Sequence, residues 1–264
     1  MPATLTLASA EVRRDLATFL GRAGRIEDAG LRLQEVSGGI ACWVPVLRPA
    51  GILTNSPLVI GVRGIPARIE STEAEDHVGD RVDIVVPLRG MLDRLAREPE
   101  SEAEARRMLL PTERLRESWT GVTPPLAGWQ RTATLSNDIL IAVAEEGIAE
   151  VGQRADGIGQ ILAEQVRATT WTRTLPELAR VKDAQANLAQ DNLAQDNLAQ
   201  DADSQDAHAL DTYTQTPALL PPAGAAFAAL ALGFLKSGRT GQLSEAPGWW
   251  RLAFPAGQVL IRRR

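Results

Sequence analysis

Leu219–Leu235 reads LLPPAGAAFAALALGFL, the longest uncharged apolar run in the chain. Behind it come a polar, turn-rich segment, KSGRTGQLSEAPG (236–248), and two short apolar runs, WWRLAF from Trp249 and QVLIRR from Gln258, joined by Pro255-Ala256-Gly257. Pro221 and Pro222 leave Ala223–Leu235 as uninterrupted helix. At 1.5 Å per residue that is about 20 Å, against about 30 Å for a hydrocarbon core, so the run predicts a buried helix and not a membrane span. The two apolar runs that follow predict a β-hairpin. A helix and hairpin of this size cannot enclose their own apolar faces. The remainder of the chain is therefore expected to supply the other half of their core.

Working outward, the segment before this run is of a different kind. Between Val181 and Thr216 lie seven Asp (183, 191, 196, 201, 203, 206 and 211) and a single Lys, Lys182. Asn-Leu-Ala-Gln-Asp repeats in tandem from Asn187, Asn192 and Asn197. A period of five advances about 140° per copy around a helix, so Leu188, Leu193 and Leu198 form no stripe. Residues 181–216 read as an acidic, low-complexity, mostly disordered linker. The expected organisation is a body over 1–180, this linker, and a helix-plus-hairpin over 217–264 packed back on the body.

The body begins with an amphipathic helix. Ser9 can cap it, Val12, Leu16, Phe19, Leu20 and Ala23 share a face, and Gly21 and Gly24 mark its end. Leu31–Val36 and Ile40–Leu47 flank Ser37-Gly38-Gly39 as a hairpin, with Pro45 predicting an edge or a bulge. Leu58–Arg63 and Val82–Val86 read as further strands. Pro87 opens a helix carrying Leu88, Met91, Leu92 and Leu95 on one side, and Ser101-Glu102-Ala103-Glu104 is a capping box. Leu115 and Trp119 suggest a short helical piece. Helices are predicted from Ser136 to about Val151 and from Ile158 to about Trp171, the second with Ile158, Leu162, Val166 and Thr169 sharing a face. The fold class is α+β: a small antiparallel sheet near the N-terminus, a helical middle, and the C-terminal buried helix with its hairpin.

Composition narrows the function. The net charge is −5, and since the linker carries that acidity the rest is near neutral. No basic excess marks a nucleic-acid binder, so nucleic acid is not the expected partner. All but Lys182 and Lys236 of the 28 Lys+Arg residues are Arg, which with the abundant Ala and Gly suggests a high-GC genome. The lone Cys42 excludes an internal disulfide and suggests a reducing compartment. With no signal-peptide pattern and no membrane span in view, the expected location is the cytoplasm.

Chemistry-bearing motifs are absent. There is no G-x-S-x-G, H-E-x-x-H, C-x-x-C or P-loop, and no Gly cluster completes a dinucleotide fingerprint. His77 lies among carboxylates in Glu70–Asp83 (ESTEAEDHVGDRVD), whose spacing fits no EF-hand or zinc pattern, so it reads as a solvated loop. His208 lies in the linker. Cys42, within an apolar strand, reads as an inert thiol. No catalytic residue, cofactor or metal is expected. In the C-terminal hairpin Trp250, Leu252 and Phe254 share one face, and Trp249, Arg251 and Ala253 the other. Exposed Trp and Arg are interface residue types, so Trp249, Arg251 and the basic end at Arg262 are the candidate binding residues, against a simpler role for Trp249 at the core edge.

The stretches VVPLRGMLDRLA, PAGAAFAALALGFL and GWWRLAFPAGQVLIRR resemble those of uncharacterised proteins of high-GC Gram-positive bacteria. The resemblance implies no activity. The leading expectation is a cytoplasmic, non-catalytic protein that binds another macromolecule, with a protein partner meeting the C-terminal hairpin. One alternative is a small-molecule enzyme using carboxylates and Arg near Glu70–Asp83. Another is a DNA-associated regulator with a winged-helix-like C-terminus. The uniformly apolar helix offers nothing to read bases with, which counts against the last.

Overall fold

The computed structural model describes residues 3–49, 56–180 and 220–263. The acidic linker, with its repeat and His208, lies outside the described residues. The chain is α+β, as its alternating patterns predict. Strand β1 (Thr4–Leu7) leads into α1 (Ala10–Gly24), then β2 (Gly30–Val36), β3 (Gly39–Leu47), β4 (Val59–Ile65), β5 (Ala67–Glu70), β6 (His77–Val78) and β7 (Arg81–Pro87). Helices α2 (Leu88–Leu95) and α3 (Glu102–Arg106) precede β8 (Arg107–Leu109) and β9 (Gln130–Ser136). Helices α4 (Asn137–Ala155), α5 (Gln160–Thr172) and α6 (Gly224–Ala231) follow, then β10 (Thr240–Ala246), β11 (Trp249–Phe254) and β12 (Gly257–Arg262).

The sheet is neither small nor confined to the N-terminal part. Among the described residues nine strands run in the order β6-β7-β2-β3-β4-β12-β11-β10-β9, every pair antiparallel. The seam is β4 against β12, where Ile60 faces Leu260 and Val62 faces Gln258. Outward from it, each half shows a three-stranded meander and then a strand that runs straight into a helix, β7 into α2 and β9 into α4. The C-terminal hairpin is thus part of a three-stranded meander. Its first strand, β10, was hidden in the polar segment 236–248, because only Leu243 of that strand carries a long aliphatic chain inward. A second, three-stranded sheet, β5-β1-β8, stands apart.

Local signals account for many boundaries. Ser9 caps α1, its Oγ accepting from the Val12 amide at 3.3 Å, and Leu16, Phe19, Leu20 and Ala23 are buried. Ser101 caps α3 by accepting from the Glu104 amide, although the helix lasts five residues before β8 begins. Gly38, with φ of +86°, closes the β2–β3 turn in the left-handed region glycine favours. Pro45 sits at a bulge in a central strand, where the β3–β4 register slips between Pro45 and Leu47. Leu115 and Trp119 do not share a helix; a 3-10 turn over Ser118–Gly121 presents Trp119 to the sheet.

One core runs through both halves, from Leu5 and Leu16 through Val44 and Val59 to Leu252 and Ile261. Helix α6 lies within it, with Ala225, Ala226, Ala228 and Ala229 buried. The left-handed Gly233, φ +76°, ends the run, so the helix is shorter than Ala223–Leu235. Phe234 then turns onto α1 and stacks on Phe19 with centroids 6.0 Å apart. A smaller cluster covers the opposite face of the sheet, where Trp119 packs with Ile60, Val62, Trp249 and Leu260. Among the described residues no helix is long and apolar enough to cross a membrane.

Candidate binding groove

At one end of the nine-stranded sheet, the close of β3, the start of β4 and the end of β12 meet α1, α5 and α6. An open groove of about 1670 Å³ lies there. Its floor is apolar: Val46, Leu58, Trp119 and Trp171 are buried, and Leu47, Val122, Phe227 and Ala231 half-buried. Trp171 stacks on Phe227 with centroids 4.6 Å apart. The close approach that seats Trp171 needs Gly147 on α4, where a Cβ would collide with the indole ring. Ile148, 44% exposed, extends the apolar surface to the rim.

Around this floor stand Arg22, Arg25, Arg48, Arg167, Arg262 and Arg263, against Glu27 and Glu164. Their states differ. Arg48 is held by Glu27 and by Glu117, whose Oε2 accepts at 3.2 Å, and its hydrogen bonding to Glu27 raises its already high pKa. Arg263 pairs with Glu245 at 2.7 Å and lies over the Trp250 ring. Arg167 pairs with Glu164 at 3.3 Å, and Arg22 donates to the Leu232 carbonyl at 3.2 Å. Arg25 and Arg262 are exposed, and neither has an ion pair among the described residues.

The residues singled out from sequence fall in different places. Trp249 is 4% exposed, enclosed under the 3-10 turn that carries Trp119. Arg251 is half-buried over the Trp129 ring at 4.6 Å, and burial lowers its pKa. Arg262, opposite Trp249 in the β11–β12 ladder, belongs to the groove. Within Glu70–Asp83, Asp76 is buried and accepts from Arg114 at 2.6 and 2.8 Å and from Ser71 at 2.5 Å. Asp83 holds Arg32, and His77 Nδ1 lies 2.9 Å from the Glu73 carbonyl oxygen. Asp83 braces β7 to β2, Asp76 ties a 3-10 turn to the segment after β8, and neither lines the groove. Burial pushes the Cys42 thiol up to about 12. Arg22 and Arg25 at the end of α1, Arg48 just past β3, Trp171 on α5 and Phe227 on α6 are far apart in the sequence, so no local pattern announced them.

Residues 1–115 match a family model described as "Domain of unknown function (DUF8010)", and residues 174–264 one described as "Domain of unknown function (DUF8185)". No curated protein matches. Among solved structures, the chain is similar to a DNA polymerase sliding clamp from Caulobacter crescentus, at 12% identity and a TM-score of 0.46 over 99% of this chain. It is similar also to Caulobacter crescentus pol III beta, at 14% and 0.45 over 98%, and to a DNA polymerase sliding clamp from Pseudomonas aeruginosa, at 11% and 0.43 over 98%. The chain spans 65% of the length of the first and 64% of the other two.

Proposed function

We propose that this chain is a non-catalytic protein of a reducing compartment, the cytoplasm, that binds another protein through the groove at the end of its sheet. The groove itself carries the reading. Its volume, about 1670 Å³, exceeds the roughly 300–1,000 Å³ of a small-molecule site. It is open, apolar at its base and charged at its margin, the arrangement of a protein interface with a desolvated centre and polar rim. Among the described residues no carboxylate, imidazole or thiol stands unpaired in its floor to carry acid–base or nucleophilic chemistry: Glu27 and Glu164 are both ion-paired, and Cys42 and His77 lie elsewhere.

A peptide-display selection tests this reading. Sixteen-residue segments are panned against the wild-type chain and against Ile148→Glu, which puts charge on the apolar rim at an exposed position that folding tolerates. Segments that enrich on the wild type and are lost on the variant support a groove that binds protein. Equal enrichment on both, or none on either, refutes it.

A further inference from the structure

We infer that the occupant of this groove is an extended, acidic, partly apolar segment of a partner protein, read by Arg25 and Arg262. The inference rests on the groove being a protein-binding site and specifies what it takes. Among the described residues six guanidinium groups and two carboxylates line it, so an anionic occupant is the complementary one. Four of the six are committed: Arg48 to Glu27 and Glu117, Arg167 to Glu164, Arg263 to Glu245, and Arg22 to a main-chain carbonyl. Arg25, which follows the last turn of α1, and Arg262, which ends β12, are exposed with no counter-ion among the described residues. A guanidinium grips a carboxylate through two parallel N–H donors.

The floor decides between classes of polyanion. A single-stranded nucleic acid needs aromatic faces open for stacking. Trp119 and Trp171 are 3% and 4% exposed, and the Phe227 ring is already stacked on Trp171. What remains open is the aliphatic surface of Leu47, Val122, Val151 and Ile148. That surface gains by covering leucine-like side chains and gains nothing from a phosphate backbone. Acidic residues interleaved with apolar ones answer both parts of the groove.

Fluorescence anisotropy of the full-length chain tests this. The probe is a labelled twelve-residue peptide alternating Asp and Leu. Matched probes carry Asn for Asp or Ser for Leu, and a twelve-nucleotide oligothymidylate stands for nucleic acid. The inference expects the Asp/Leu peptide to bind at least tenfold more tightly than each of the other three. It also expects a tenfold or greater loss on R25E/R262E, no loss on R14E (an exposed arginine of α1 outside the groove), and weaker binding from 50 to 300 mM salt. Oligothymidylate binding as tightly as the peptide, or peptide binding unchanged by R25E/R262E, overturns it. Both arginines are exposed, so R25E/R262E should melt as the wild type does. Display-selected segments that are groove-dependent but not acidic would overturn this inference alone, whereas no groove-dependent segment at all would overturn the binding reading with it.

Discussion

Phe234 is where the C-terminal segment is fastened to the first helix, and Phe234→Ala measures how firmly. The ring is 1% exposed, stacks on Phe19 at 6.0 Å, and lies so close to Gly257 that a Cβ there would overlap it. Removing it takes about 150 Å² of apolar surface out of the core, which at about 25 cal/mol/Å² is about 4 kcal/mol. The cavity left between α1 and the β11–β12 turn adds to this only where the walls fail to relax, so a loss of about 3–5 kcal/mol is expected. For a chain of this size each kcal/mol lowers Tm by about 2–4 °C. Urea unfolding followed by near-UV circular dichroism gives the difference, and the Phe19→Ala, Phe234→Ala double-mutant cycle gives a coupling of about 0.5–1.5 kcal/mol. A loss under 1 kcal/mol with no coupling would mean that the two segments do not share a core.

Other expectations follow from single contacts. Arg114→Ala should cost about 3 kcal/mol, because it leaves the 1%-exposed Asp76 without its main partner. Arg114, then Ser71, hold the Asp76 carboxyl below its ordinary 3.8, so their stabilisation is complete above that pH and fades as pH falls through the lower folded value. The deficit of R114A against wild type should therefore shrink below pH 4 in urea titrations, and a constant deficit would contradict the pairing. Gly233→Ala should lower Tm by several degrees, since φ of +76° is strained for alanine and its methyl would meet the Arg22 guanidinium. Cys42, with its thiol pushed up to about 12 and no exposure, should resist iodoacetamide at pH 8 until urea unfolds the chain; rapid native labelling would contradict its burial.

Much of the fold was legible where a side-chain period met a cap. Ser9 and the buried face Leu16, Phe19, Leu20 and Ala23 fall where 3.6-residue spacing puts them, and Pro45 announced its bulge. The reading failed where burial is one-sided or slight. Strand β9 opens on exposed Gln130, Arg131 and Thr132, and β10 is mostly polar on one side, so neither shows an apolar run. In α5 the apolar period misled: Leu162 is 55% and Ile161 78% exposed, while Thr170 and Trp171 are buried. The groove was legible at Arg262 alone. Its other parts are ordinary helix-end arginines and half-buried apolar residues until the β4–β12 seam brings them together.

The most direct measurement is hydrogen exchange read by mass spectrometry, on the full-length chain with and without a display-selected segment at saturation. Binding in the groove predicts slowed exchange at 22–27, 46–48, 164–171 and 227–231 together, with Gln242 of β10 and Gln258 of β12, which do not line the groove, unchanged. Protection confined to the exposed start of β9 at 130–132, or to Gln242 and Gln258, would place the partner elsewhere and contradict the account.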